Sequence, residues 1–396
     1  MWIYYTIFFL IAVFYFQTQY NPPDKKYLTY ILLALGIFVG LGDMLGGYDR
    51  YVYADLFDDV ANYTMAGKSY TEAAIMGYKS EFGYVYLNVA LSYFTANRYI
   101  FIFIYTVILY VLILQSFKRY ITNYPFALLL FLGLWFFFTF TYLRQVMAVS
   151  IAWLGYRYIY ERKPWKFLLV VVLAYSFHNS AIIFAPLYFL PLKKYNVSLV
   201  IMVMVVLMLI GITGAPSALF DNFGEATGST NRTTAYAHEE FGVKVEYIYE
   251  AALFLYVILS SYKKIPETKF HLCFLNISLA FCGTLLFFVK SSNAGRLSWY
   301  FIFGLICILS MIEIKSKIKK DFYVIIVLMF FLFNRIVTSW GMLLSPYKTF
   351  LTEGFREGDP IHEEFEYDER YDKDKFYRPP FLWFGKAGDD SNTGIQ

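Results

Sequence analysis

Four stretches of this chain set ionisable or amide side chains among residues that are otherwise almost wholly apolar. "VVVLAYSFHNSAIIFAPLYFL" (170–190) carries His178 and Asn179 in its middle. "FTYLRQVMAVS" places Arg144 and Gln145 between two apolar runs, and "KSSNAGRLSWYF" places Asn293 and Arg296 ahead of another. "GGYDRYVYADLFDDV" follows an apolar run and brings Asp49, Arg50 and Tyr53. Hydrocarbon supplies no hydrogen-bond partners. An ionisable group at that depth costs several kcal/mol unless it is paired, so each of these places is a functional hypothesis.

Each group has a chemistry and a plainer alternative. His178 can take a proton, or donate to a phosphate or hydroxyl; the alternative is a ring tied to a backbone carbonyl. Arg144 offers a planar fork that matches a diphosphate, or else reaches out to headgroups. No acidic residue stands near it in the sequence. Arg296, with Asn293 and Gly295, opens a helix whose first N–H groups and positive end complement an anion. Asp49 lies one turn before Tyr53 on the same helical face, where a carboxylate holds or deprotonates a sugar hydroxyl; the alternative is a solvated helix start. Glu81, in "KSEFGYVY", is a second carboxylate for the same cavity or an ordinary cap. Arg232, in "STNRTTAYAHEEF", is a candidate lid arginine. Asp58–Asp59 alone is a weak hint of a metal site. Cys273, Cys282 and Cys307 lie in apolar runs with no C-x-x-C and no histidine at ligand spacing, so they read as small hydrophobes, and neither a metal nor a cofactor is expected.

Membrane-spanning helices must position these groups. The chain has 396 residues, 59% hydrophobic and only 16% charged, which is more apolar surface than a soluble globule of this size can bury. A span needs roughly 20 apolar residues. Candidate spans are 2–18, 27–45, 98–117, 125–143, 144–160, 197–213, 246–262, 269–289, 297–314 and 321–341. The first lacks a basic leader and a cleavage site and reads as a retained span. Residues 82–96 are short for a span and read as re-entrant or interfacial. Residues 165–192 are too long for one helix and too short for two, so they read as two short helices with "FHNS" at the turn. The fold class expected is all-α, a polytopic helical bundle of about 11–13 spans including re-entrant helices.

Lysine and arginine cluster near 118–119, 157–166, 193–194, 263–269 and 315–320. Assigned to the cytoplasm, these clusters make the later spans alternate. Segments 46–81, 214–245 and 290–296 then face outward as loops of a membrane domain, 1–345. His178, Arg144, Arg296 and Asp49 fall toward the same outer side. An acidic, Tyr- and Pro-rich tail, 346–396, follows, and its last ten residues read as disordered. The scattered basic residues form no stripe for nucleic acid. Arginines for a membrane-anchored phosphate, with a histidine and a carboxylate for a sugar hydroxyl, describe transfer of a glycan from a lipid diphosphate carrier.

The ordered set "GGYDRYVY", "EFGYVYLNVAL", "YLRQVMAVSIA", "LAYSFHNSAIIFAPLYFL", "GRLSWYF" and a late "SPY" resembles the EpsG-type branch of the Wzy-like polysaccharide polymerases, over about residues 27–350. The most specific part is "LRQ" followed some thirty residues later by "FHNSA". The resemblance implies a GT-C-type glycosyltransferase of the bacterial inner membrane. Such an enzyme joins undecaprenyl-diphosphate-linked repeat units at the periplasmic face, without a metal, beside a flippase and a chain-length regulator of the same pathway. It maps onto Asp49, Arg144, Gln145, His178 and Arg296, with Asp49 and Tyr53 as the acid–tyrosine signature. The acidic tail after Pro346 departs from that pattern. The competing classes are a flippase for lipid-linked sugars, an O-antigen ligase or other GT-C transferase, and a membrane O-acyltransferase. The last would leave the arginines unexplained.

Overall fold

The computed structural model describes residues 1–21, 23–43, 48–217, 242–291, 294–315 and 320–352, together with 376, 378, 380 and 381. Its helices are α1 (Trp2–Thr18), α2 (Lys25–Leu41), α3 (Tyr48–Met65), α4 (Phe82–Ser92), α5 (Arg98–Tyr120), α6 (Tyr124–Leu134), α7 (Leu143–Leu154) and α8 (Tyr156–Tyr160). Then follow α9 (Pro164–Tyr175), α10 (Val197–Thr213), α11 (Val245–Ser260), α12 (Lys269–Phe287), α13 (Ala294–Lys315), α14 (Lys320–Ser339) and the short α15 (Gly341–Leu344). The described residues contain no strand, only a bridge between Gly42 and Thr349. This is the polytopic all-helical bundle expected from the sequence. Four helical stretches are long and apolar enough to cross a membrane: Arg98–Tyr120, Lys269–Phe287, Gly295–Ile314 and Phe322–Ser339. Helices α1 and α10 have 17 residues each and rise about 26 Å, close to the hydrocarbon thickness.

Local chemistry sets the helix starts. Asn97 ends the connection before α5 and accepts from the N–H groups of Tyr99 and Ile100 at 2.9 and 3.4 Å. Asp24 caps α2 through Lys26 N at 2.9 Å. Thr268 caps α12 through His271 N at 3.3 Å. Helix α12 packs along α13, α2 along α5, and α14 along α6, with α10 and α11 against α12.

The basic clusters at 118–119, 157–166, 193–194 and 263–269 gather at one end of the bundle. There Lys25 Nζ donates to Lys118 O at 2.9 Å, Asn276 Nδ2 donates to Lys193 O at 3.1 Å, and Lys194 pairs with Glu267 at 3.7 Å. Buried Glu313 also lies toward this end, where Tyr15 donates to it at 2.7 Å and Asn123 donates to its other oxygen. Helices α3 and α4 begin and end at the opposite end. Tyr84 N donates to Ser176 O at 3.1 Å, Thr64 and Ser92 share a hydrogen bond of 2.6 Å, and Asp58 pairs with Arg98. Helix α4 therefore does not cross the bundle.

Two expected spans are interrupted. The run 125–143 stops being α-helical at Trp135 and continues as a 3₁₀ turn, Phe136–Phe140. Consecutive phenylalanines are poor helix formers, and here their rings pack outward from the chain: Phe137 lies 4.8 Å from Phe333, and Phe138 stacks on Trp299 at 4.5 Å. A new helix, α7, starts at Leu143 and breaks again at Gly155. The first interruption matters for function, because it puts Arg144 and Gln145 in the opening turn of a helix.

Candidate functional site

The expected hairpin over 165–192 is present. Helix α9 climbs about 18 Å and ends at Ser176, and a 3₁₀ helix, Asn179–Phe189, returns about 22 Å, so each arm crosses part of the bilayer. The turn satisfies its own loose ends. Ser176 Oγ donates to Leu173 O at 2.7 Å, and His178 N donates to Ala174 O at 3.1 Å. His178, in extended backbone, caps the returning arm: Ser180 N donates to His178 Nδ1 at 3.2 Å. Helix α4 docks on this turn at Gly83, where a Cβ would stand 2.2 Å from Ser176 Oγ. Glycine permits that approach, and it brings Glu81 and Ser80 beside Asn179.

Glu81 and Arg144 form an ion pair, with the two side chains 6% and 14% exposed. The acid partner missing from the neighbouring sequence thus arrives from the α3–α4 connection. Glu81 Oε1 also accepts from Asn179 N at 3.2 Å, and Asn179 Nδ2 donates to Ser80 Oγ at 3.4 Å. Three tyrosines surround the guanidinium, whose carbon lies 4.1 Å from the ring centre of Tyr78, 5.7 Å from Tyr84 and 5.8 Å from Tyr53. Burial pushes the Tyr53 phenol well above its ordinary pKa, against the opposing pull of Arg144, so it stays a neutral donor; Asp49 acts in the same direction as burial. Among the described residues, Arg144 Nε, Tyr84 OH and Asn179 Oδ1 are buried here without a hydrogen-bond partner. Such groups are expensive to leave unpaired, and a polar ligand or water would satisfy them.

A second knot adjoins the first through Gln145. Its Nε2 donates to Ser180 Oγ at 3.3 Å and to Arg296 O at 3.1 Å, tying α7, the hairpin and α13 together. Ser180 Oγ also meets His178 Nδ1 at 2.7 Å and Tyr300 OH at 2.9 Å. Arg296, in the opening of α13, lies over the Tyr142 ring at 4.3 Å and donates to Tyr142 OH at 3.1 Å. Arg144, Gln145, His178, Asn179, Glu81, Tyr53 and Arg296 therefore converge at the end of the bundle away from the basic clusters.

Other candidates sit differently. Arg50 is buried, 1% exposed, and donates to Gly42 O at 2.7 Å and Val39 O at 3.3 Å; burial lowers its guanidinium to about 10. It holds the end of α2 rather than facing the Arg144 cluster. Asp58 and Asp59 take separate partners, Arg98 for the first and Ala74 N for the second, at 2.6 Å, which removes the hint of a paired-acid metal site. Arg232 and Asn293 lie outside the described residues. The sequence reading passed over Ser180, Tyr300, Tyr142, Tyr78 and Tyr84. Tyr300 follows Arg296 by one helical turn, a spacing that was there to be read. Tyr142, Tyr78 and Tyr84 were hidden among 38 tyrosines, and Ser180 stands two positions past His178 in "FHNSA".

Fold and site together define a polytopic membrane protein with a polar, arginine-bearing site at one end of its helical bundle. The chain belongs to the EpsG family, whose model matches residues 27–349. This is a family of Wzy-like polysaccharide polymerases, and the chain's role is accordingly of the polysaccharide-polymerase type, in a membrane. No curated protein and no solved structure matches the chain.

Proposed function

We propose that the chain joins oligosaccharide repeat units carried on undecaprenyl diphosphate by metal-independent glycosyl transfer, at the outer face of the bacterial inner membrane. The observation that carries this reading is the meeting of four sequence-distant segments, at Glu81, Arg144–Gln145, His178–Ser180 and Arg296–Tyr300, at the end of the bundle opposite the lysine and arginine clusters. The positive-inside rule directs that end away from the cytoplasm.

The chemistry follows from the groups present. A hydroxyl of the acceptor unit attacks the anomeric carbon of the donor, a new C–O bond forms, and the bond to the diphosphate oxygen breaks. The diphosphate departs with the electron pair. Arg296, at a helix opening, and Arg144 stabilise that departing anion, so the leaving group needs no protonation. The acceptor proton passes to a basic group among Asp49, Glu81 and His178. The tyrosines around Arg144 offer faces for sugar stacking. The GT-C classification and the pathway partners rest on family resemblance.

Purified protein in lipid nanodiscs, incubated with lipid-linked repeat units, is expected to build a ladder of longer glycans on lipid. Sugar transferred to a different acceptor would favour a ligase, and glycan moved across the bilayer unchanged would favour a flippase. Elongation undiminished in both Arg144→Ala and Arg296→Ala would remove the arginine-held leaving group.

A further inference from the structure

The hydrogen bonds around Ser180 determine which nitrogen of His178 carries its proton. Arg296 O can only accept, so the end of the Gln145 amide that meets it at 3.1 Å is the NH₂ group, and the same group donates to Ser180 Oγ at 3.3 Å. The Ser180 backbone N–H can only donate, and it points at His178 Nδ1 at 3.2 Å. Nδ1 therefore presents a lone pair. The 2.7 Å contact between Nδ1 and Ser180 Oγ must then be the serine O–H donating to nitrogen. Ser180 has a single hydroxyl proton, so at 2.9 Å the Tyr300 hydroxyl must be the donor to Ser180. The result is a directed relay, Tyr300 O–H to Ser180 O–H to His178 Nδ1, with both lone pairs of Ser180 occupied. In this arrangement the ring proton is on Nε2.

We infer that His178 serves the transfer through its Nε2–H as a hydrogen-bond donor to a phosphoryl oxygen of the bound lipid diphosphate, and is not the proton acceptor. The inference rests on the function proposed above. A base at Nε2 would need Nδ1 protonated, and that proton would point at the Ser180 backbone N–H, which can only donate. The direction toward phosphate comes from Gln145, one side chain linking the His178 turn to the opening of α13 where Arg296 stands. Ser180, Tyr300 and Gln145 are positioning residues that act through the imidazole. The acceptor's proton is then left to a carboxylate, Asp49 or Glu81.

The test reads the tautomer directly. In nanodisc-embedded protein labelled with ¹⁵N-histidine, the resonances that vanish in His178→Gln identify the ring. A pyridine-type Nδ1 with a pyrrole-type Nε2 is expected, and Ser180→Ala, which loses the hydroxyl donor but keeps the backbone N–H, should move the Nδ1 resonance while leaving the tautomer in place. A pyrrole-type Nδ1 in the unaltered protein overturns the assignment. This readout stands whether or not the protein elongates glycan, so it fails separately from the polymerase reading. In elongation assays, glutamine retains an N–H donor. His178→Ala is expected to lose about 100-fold in rate, the scale for removing one donor to a developing oxyanion, and His178→Gln is expected to lose clearly less. Equal losses overturn the donor role.

Discussion

Arg144 and Glu81 stand 63 positions apart in the chain and form a buried ion pair, with the guanidinium carbon 4.1 Å from the centre of the Tyr78 ring. The pair joins the α3–α4 connection to the opening of α7, and Asn179 N extends it to the hairpin. In the proposed reaction, a diphosphate approaching Arg144 would meet a cation already partly neutralised, and Arg296 would contribute more of the attraction.

Removing one partner strands the other in a site nearly closed to water. Glu81→Gln and Arg144→Gln are each expected to destabilise the protein by roughly 3–5 kcal/mol, whereas the double variant loses less than the sum. Thermal unfolding of the purified protein, compared across the full mutant cycle, decides this. Strict additivity would show that the two charges do not support one another.

Arg296 should bear on substrate binding. Arg296→Ala is expected to lower elongation by about 100-fold and to abolish competition by inorganic pyrophosphate. Arg296→Lys should recover only part of the rate, because an ammonium lacks the planar fork that lies on Tyr142. Tyr142→Phe keeps the ring and loses only the 3.1 Å hydrogen bond, so its effect should be small. Pyrophosphate inhibition unchanged in Arg296→Ala would place the phosphate elsewhere.

The polytopic helical class, the hairpin at "FHNS" and the grouping of Arg144, His178 and Arg296 were legible in the sequence, because lipid enforces long apolar runs and penalises every ionisable exception. The Glu81–Arg144 pair was not legible. Glu81 sits in a polar connection where a carboxylate looks ordinary, and only the docking of α4 at Gly83 carries it to Arg144. The break at Trp135 was hidden for a similar reason. Hydropathy reads 125–143 as one run, while the packing of Phe137 and Phe138 on other helices decides its backbone. Arg50 illustrates the reverse. Its place beside Asp49 gave it a functional look, yet its hydrogen bonds run to the backbone of α2 and the residue that follows it.

Gly83 offers a structural probe of the site that touches none of its charges. A methyl there meets Ser176 Oγ at 2.2 Å and its Cβ and the Phe177 ring at 3.0 Å. Gly83→Ala should cost about 1–3 kcal/mol and depress elongation by moving Glu81 away from Asn179. Adding Ser176→Ala removes the closest atom, so Gly83→Ala with Ser176→Ala should be more stable than Gly83→Ala alone. If it is not, the contact at this seam is not what sets the position of α4.

The family match ends at residue 349, and beyond it Arg378 of the tail meets the helical bundle. Arg378 Nη2 donates to Asn62 Oδ1 at 2.6 Å, Nη1 stands 3.8 Å from Asp58 Oδ1, and the Arg378 carbonyl accepts from Asn97 Nδ2 at 3.2 Å. Nearby, the ring of Phe381 meets Phe94 edge-on at 5.1 Å. Asp58 therefore serves two arginines, Arg98 from the start of α5 and Arg378 from the tail. The two are unequal, since the Arg98 side chain is 8% exposed and that of Arg378 18%. Asp58→Asn removes a carboxylate that both arginines share and should cost roughly 3–5 kcal/mol. Arg378→Gln leaves the Asp58–Arg98 pair intact and should cost about 1 kcal/mol, the worth of a partly exposed hydrogen-bonded charge. Unfolding midpoints of the two variants in the full-length chain give the ordering. Equal losses would mean that the tail contact carries as much stability as the buried pair beneath it.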